Sequence, residues 1–299
     1  MSRAISESCL VCGHSPMEFL FRMHSYFCPG ISRDIALCMA CGHVQLSPLF
    51  GKEEYQTIND LFFSGKYLKN GMQNPINLNK RDKLDTWLSP YLQPGLKVLD
   101  VGSGEGWALD FFRNKNCRYH AIEAIPHLAD QVNAEGGTVI GKSLFQDFPD
   151  HSGTFDVVLC RHVLEHLPDP RGALLRIRLL LRESGVLCLA VPNLLGAQGT
   201  LGLRTHYFRP VHLSYFCETN LLRLVLQASF EVLKKDAAGE IFMILKSATA
   251  PPPTLPSAYA EVRRHLLRLL KEKRFLDFWN HLKIRARVLL QGNPFRKTQ

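Results

Sequence analysis

Between residues 93 and 247, short apolar runs alternate with stretches whose apolar positions recur at helical spacing, the pattern of a parallel sheet flanked by helices. The runs predict strands at Lys97–Val101, Tyr119–Glu123, Thr138–Ile140, Phe155–Cys160 and Gly185–Val191. A late pair, Phe230–Lys235 and Glu240–Leu245, is joined by a short turn containing Gly239. The amphipathic stretches predict helices over Trp107–Arg113, Pro126–Ala134, Pro170–Leu181 and Glu218–Ala228. Strand and helix thus alternate until the chain ends its sheet in two adjacent strands, a doubly wound α/β arrangement.

The flanking regions have other patterns. Residues 1–48 are rich in cysteine, glycine and histidine, as in a small metal-held module. Residues 49–92 form a helical connector, with Leu61, Phe62, Tyr67, Leu84, Trp87, Leu88, Tyr91 and Leu92 at helical spacing. Residues 248–299 begin with Pro251-Pro252-Pro253 and Pro256, a stiff linker, and continue as a basic amphipathic helical tail over Tyr259–Leu290.

Charge follows this division. The 299 residues carry a formal net charge of +9, but residues 257–299 hold eleven Lys or Arg against three acids. The main body is therefore nearly neutral, and the excess belongs to the tail. A basic amphipathic helix suits an anionic membrane surface or packing on the rest of the protein. A nucleic-acid grip by module and tail is disfavoured, because Arg3, Arg22 and Arg33 of the module are balanced by Glu7, Glu18 and Asp34. No apolar run approaches the roughly 20 residues that span a bilayer, and Met1–Ser8 has no apolar core of a signal peptide. These features predict a cytoplasmic protein, with peripheral membrane contact through the tail as the alternative. No pattern specifies an oligomer.

Two local constellations carry chemistry. After the first predicted strand, Asp100 precedes Gly102, Ser103, Gly104 and Gly106. Glycine tolerates positive φ and lets backbone approach a ligand closely, and the helix that follows presents unpaired N–H groups. Glu123 ends the next strand, where a carboxylate accepts hydrogen bonds from ribose hydroxyls. The second constellation is Cys9-Leu10-Val11-Cys12-Gly13-His14 with Cys38-Met39-Ala40-Cys41-Gly42-His43. Two C-x-x-C knuckles complete a tetrahedral thiolate site for zinc, structural because no coordination position stays open. Cys28 lies between the knuckles, and Cys117, Cys160, Cys188 and Cys217 suit packing.

The ordered set Asp100–Gly106, Glu123, Phe155–Val158, Val163–Pro170, Gly185–Asn193 and His212–Phe216 resembles the class I S-adenosylmethionine-dependent methyltransferases. The resemblance implies a Rossmann-like sheet of seven strands with the last inserted antiparallel. It places Asp100 and the glycine turn at the methionine end of S-adenosylmethionine, Glu123 at the ribose and Asp147 at the adenine. The N-terminal cysteine module is similar to that of a bacterial subset acting on nucleotide sugars or glycans. That points to a small-molecule or saccharide acceptor, foremost a sugar hydroxyl. A quinone-like or phenolic acceptor is the alternative.

Methyl transfer to oxygen needs alignment and removal of a proton, a task suited to histidine. Ligands of open parallel sheets sit beyond the carboxyl ends of the strands. His162 and His166 follow one such end and His212 another, making these three the candidate bases. The long connection Pro192–Cys217, with Arg204, His206, Tyr207 and Arg209, reads as a lid or binding loop.

Overall fold

In a computed structural model of the chain, residues 3–24, 31–67, 83–196, 208–250 and 253–272 are described below. A seven-stranded sheet is built from β5 (Lys97–Val101), β6 (Arg118–Ile122), β7 (Thr138–Gly141), β8 (Phe155–Arg161), β9 (Leu181–Pro192), β11 (Phe230–Asp236) and β12 (Glu240–Ser247). Their order is β11-β12-β9-β8-β5-β6-β7. Strands β5 to β9 run parallel, while β12 lies antiparallel between β9 and β11. This is the expected seven-stranded sheet with the last strand inserted antiparallel.

Alternation along the central strands decides what packs where. In β8, Val158 and Cys160 face α5 (Pro170–Leu180) and α6 (Glu218–Gln227), through Leu174, Ile177, Leu221 and Leu224. Val157 and Leu159 face the opposite side, where α2 (residues 83–88), α3 (Leu109–Asn114) and α4 (Pro126–Ala134) supply Leu84, Leu88, Phe112 and Val132. Both faces are covered, so the middle strands are apolar throughout. Asp169 starts α5 by accepting from Gly172 N–H at 2.8 Å, with Pro170 at the first helical position.

Two boundaries differ from the sequence expectation. The helix after the glycine turn begins at Leu109, because residues 102–107 are consumed by the turn itself. Strand β9 begins at Leu181, directly where α5 ends, since Leu181 is buried against Phe155 before three exposed residues intervene.

The N-terminal region forms a second sheet that the sequence pattern does not reveal. It is antiparallel, in the order β1 (Ala4–Ile5), β2 (Met17–His24), β3 (Ser32–Cys38), β4 (Val44–Ser47) and β10 (Ser214–Tyr215). The fifth strand comes from the long connection after β9, pairing Ser214 with Gln45 and Tyr215 with Val44. One face of this sheet shares the core of the large sheet, through Cys9, Val11, Met17 and Cys38. The other face is covered by the tail: α7 (residues 259–272) sets Val262, Leu266 and Leu269 against Ile35, Leu37, Val44 and Leu46. Arg263 and Tyr259 of α7 hold the buried Glu18 carboxylate at 3.0 and 2.7 Å. The described part of the tail thus spends its apolar face on the protein's own module. Residues 273–299 lie outside the described residues. Among those described, no helix is long and apolar enough to cross a membrane.

Candidate active site and cysteine centre

The glycine turn is bent as its composition requires. Gly102, Gly104 and Gly106 have φ of +70°, +56° and +68°, a region that other residues enter only with strain. At Gly102 space is also decisive, since a Cβ would lie 2.5 Å from Val163 Cγ2. That contact presses the glycine turn at the end of β5 against the 162–166 turn at the end of β8. Ser103 is buried beneath the turn.

Two carboxylates flank it. Asp100 is 2% exposed and accepts from the Tyr119 hydroxyl at 2.6 Å. Burial pushes its carboxyl up to about 7, against the Tyr119 hydrogen bond, which favours the charged form. Glu123 accepts from Gly104 N–H at 2.7 Å and Ile125 N–H at 2.9 Å, so it stitches the glycine turn to the end of β6. Burial raises its pKa, against these backbone donors. Each carboxylate oxygen has a second lone pair, which leaves Glu123 able to accept from ribose hydroxyls. A buried Asp100 gains from an ammonium nearby. These residues fit the methionine and ribose ends of S-adenosylmethionine.

Asp147 is placed differently. Its side chain is 94% exposed, with Arg176 of α5 at 3.4 Å. Gln146 and Phe148 instead crowd Gly141, whose carbonyl accepts from Glu123 N–H at 3.0 Å.

On the other side of the Gly102–Val163 contact lies a cluster of titratable groups. Glu165 is buried, and a carboxylate oxygen of it lies within 4.8 Å of ring nitrogens of His166 and His212, which are equally close to one another. His166 donates from Nδ1 to the Val211 carbonyl at 2.8 Å, which makes Nε2 the lone-pair nitrogen of the neutral ring. Nε2 lies 3.9 Å from Glu165. His212 packs edge-on against His166 with ring centroids 4.8 Å apart. Burial, then the nearby His166, drives His212 well below the usual histidine range, so it is neutral. The buried Tyr55 hydroxyl of α1 (Lys52–Tyr67) sits 2.6 Å from the His166 carbonyl and 2.8 Å from that of Val211, tying the two segments together.

His162 stands apart from the other two candidate bases. Its Nε2 is 2.9 Å from Glu240 and its Nδ1 3.4 Å from Glu165. Glu240 opens β12 and also binds Arg161 at 2.8 Å and Lys83 at 3.5 Å. Glu240, Arg161, Lys83 and Tyr55 are site residues that sequence reasoning missed. Only Glu240 had a legible signal, an acid at the start of a predicted strand. Arg204, His206 and Tyr207 lie outside the described residues, as does Cys28.

The cysteines assemble as their spacing implies. Cys9 and Cys41 Sγ are 3.6 Å apart, Cys12 and Cys38 Sγ 3.5 Å, and all four are free thiols. A tetrahedral zinc with bonds of about 2.3 Å sets its sulfurs about 3.8 Å apart, so the donor set fits that ion. In each knuckle the glycine N–H donates 2.9 Å to the first cysteine's carbonyl. The second knuckle is built into the fold: a Cβ on Gly42 would come within 2.5 Å of the Ala258 backbone. Asn220 of α6 donates to the Gly42 carbonyl at 3.3 Å, and buried His43 pairs with Ser214 of β10 at 3.3 Å.

This fold and site define a class, the α/β enzymes that hold an adenosine-bearing cofactor on an acid-flanked glycine turn at the carboxyl edge of the sheet. A methyltransferase-domain profile matches residues 77–235, more than half of the chain, and the chain belongs to the class I S-adenosylmethionine-dependent methyltransferases. It is similar to the ubiquinone biosynthesis O-methyltransferase of Xanthomonas campestris pv. campestris (strain B100), 30% identical over 129 residues, 41% of this chain and 54% of that protein. The same-named protein of Actinobacillus pleuropneumoniae serotype 7 is 28% identical over 186 residues, covering 52% and 77%. The chain therefore spans about half the length of the Xanthomonas relative. Among solved structures, it is similar to the 1,6-didemethyltoxoflavin-N1-methyltransferase of Burkholderia thailandensis, with TM-score 0.49, 20% identity, and 76% and 100% of the two chains covered.

Proposed function

We propose that the protein transfers the methyl group of S-adenosylmethionine to a hydroxyl of a phenolic or quinone-precursor acceptor, with His166 as the base. The observation that supports this reading is the close approach of Gly102 to Val163, which sets the glycine turn beside the turn that carries His162, Glu165 and His166. The sugar hydroxyl suggested by the cysteine module gives way to the phenolic alternative, because the relatives named above are quinone-pathway O-methyltransferases.

When bound, S-adenosylmethionine would supply an electrophilic methyl group on a sulfonium, with the thioether as leaving group. Asp100 and the glycine turn hold its methionine end, Glu123 its ribose, and Asp147 or its neighbours its adenine. His166 takes the hydroxyl proton on Nε2, 3.9 Å from Glu165, which stabilises the imidazolium that results. His212 and Tyr55 fix the ring of His166 and the segment around it. Cys9, Cys12, Cys38 and Cys41 hold a structural zinc.

The test has two arms. Titration calorimetry of the zinc-loaded protein is expected to show S-adenosylmethionine binding, weakened about 10- to 100-fold in Glu123→Ala, the worth of a charged hydrogen bond. Radiolabelled methyl transfer is then compared between catechol-type and nucleotide-sugar acceptors. Transfer to the sugars alone would overturn the acceptor assignment, and absence of cofactor binding would overturn the whole.

A further inference from the structure

His162 occupies a costly conformation for a defined purpose. Its φ of +55° is in the left-handed region, where a residue with a Cβ is strained by about 1–2 kcal/mol. Its backbone N–H donates to the Ala190 carbonyl of β9 at 2.8 Å, which pins it there. The result is a ring whose two nitrogens face two different carboxylates, Glu240 at 2.9 Å and Glu165 at 3.4 Å. A neutral imidazole has one N–H and one lone pair, and a lone pair facing a carboxylate is repelled. With both acids ionised and within 3.4 Å, only the doubly protonated ring satisfies both neighbours.

Resting on the methyltransferase reading above, we infer that His162 is a positioning residue: an imidazolium fixed between Glu240 and Glu165 that keeps Glu165 a carboxylate facing His166, so that the acceptor's proton passes to His166 and not to His162. A residue held charged by two acids has no lone pair with which to accept a proton. It does, however, set the field in which His166 works.

The groups around this pair agree. Glu165 is faced by His162 and His166 from its own turn, by His212 and Arg209 from the segment before β10, by Tyr55 of α1, and by Cys160 at the end of β8. Glu240 is faced by Arg161, His162 and Lys83. Burial opposes charge on both acids, yet hydrogen bonding to His162 foremost, joined at Glu240 by Arg161 and Lys83, holds each at about 2. Burial likewise opposes charge on His162, and the two carboxylates carry its pKa above the usual value.

The decisive variant is His162→Gln, which keeps one hydrogen bond and removes the charge. On the apo protein, nitrogen-15 NMR of labelled histidines should show one ring, absent in His162→Gln, that holds both protons to a higher pH than the ordinary histidine pKa of about 6.5. Glu240→Gln should move that ring's titration down by about 1 pH unit or more. A His162 ring that loses its second proton at or below that ordinary value would overturn the inference, whatever the acceptor is. In the transfer assay, His162→Gln should shift the acid limb of kcat upward by about 1 pH unit as the cluster loses a positive charge, with activity recovering on the alkaline side. S-Adenosylmethionine affinity should stay within about threefold, a change of less than 1 kcal/mol. A loss of about 100-fold or more at every pH, with the limb unmoved, would make His162 the base or a mere packing residue and overturn the assignment.

Discussion

Asp100, the glycine turn and Glu123 come from one continuous strand–turn–helix–strand unit, whereas Glu165, His166, His212, Tyr55 and Glu240 come from four segments spread over most of the chain. The first group is organised by backbone: three positive-φ glycines and two N–H groups aimed at Glu123. The second is organised by side chains that hold one another, with Tyr55 bridging the carbonyls of His166 and Val211. His212 stands just ahead of β10, which is itself a strand of the cysteine module's sheet. The glycine-turn group is thus built largely within one unit, while the histidine cluster draws on α1, the segment before β10 and the start of β12.

The most severe way to break this asymmetry is at the cysteines. Cys38→Ser, or removal of zinc by a chelator, should cost on the order of several kcal/mol, since binding at a structural zinc site is folding free energy. Methyl transfer should fall further than cofactor affinity, because β4 carries β10 and hence His212. Metal analysis is expected to give about one zinc per chain. A Cys38→Ser protein that keeps its metal and its melting temperature would show that the knuckles do not support the acceptor half.

A cleaner separation comes from His166→Ala. Loss of the base should lower kcat by about 10²- to 10⁴-fold and leave calorimetric cofactor binding unchanged. An equal loss in both quantities would mean that the two halves are one cooperative unit.

The smallest effect sharpens the cofactor half alone. Asp100 titrates near 7 in the folded protein against about 3.9 unfolded, so the folded state holds the proton more tightly. Its contribution to stability is present below about pH 4 and is lost as pH rises to about 7. Asp100→Asn should therefore stabilise the cofactor-free protein at pH 8, by on the order of 3 kcal/mol, while weakening cofactor binding. Melting curves from pH 4 to 8 check it. A variant no more stable than the parent at pH 8 would show that the buried charge is not strained.

The sequence made the cofactor half readable for a physical reason. Glycine spacing, a strand-end acid and two-residue alternation are local properties, and local properties survive in a one-dimensional string. Asp100, Gly102 and Glu123 lie within 24 residues of one another in the chain. The four thiolates were equally plain, because a C-x-x-C knuckle folds on itself through its own N–H groups, with Val11 N–H reaching Cys9 Sγ at 3.4 Å and Cys41 N–H reaching Cys38 Sγ at 3.5 Å.

Less survived for the acceptor half. The sequence marks His166 by its Leu-Glu-His-Leu segment and His212 by the Tyr215-Phe216 that follows it, while what His162 meets is set by packing. His162 meets Glu240, 78 positions later, because β12 lies antiparallel in the sheet and returns its first residue to the carboxyl ends of β8 and β9. The module's strands were invisible because their fifth member, Ser214–Tyr215, belongs to a distant connection.

What the sequence by itself determined is the doubly wound sheet, the acid-flanked glycine turn and the thiolate knuckles, each set by residues close along the chain. What only the tertiary structure decided is which acids and carbonyls each histidine meets and how tail and module pack on one another. Those depend on charges and surfaces that become neighbours only after the chain has folded, when burial makes each unpaired charge too costly to leave alone.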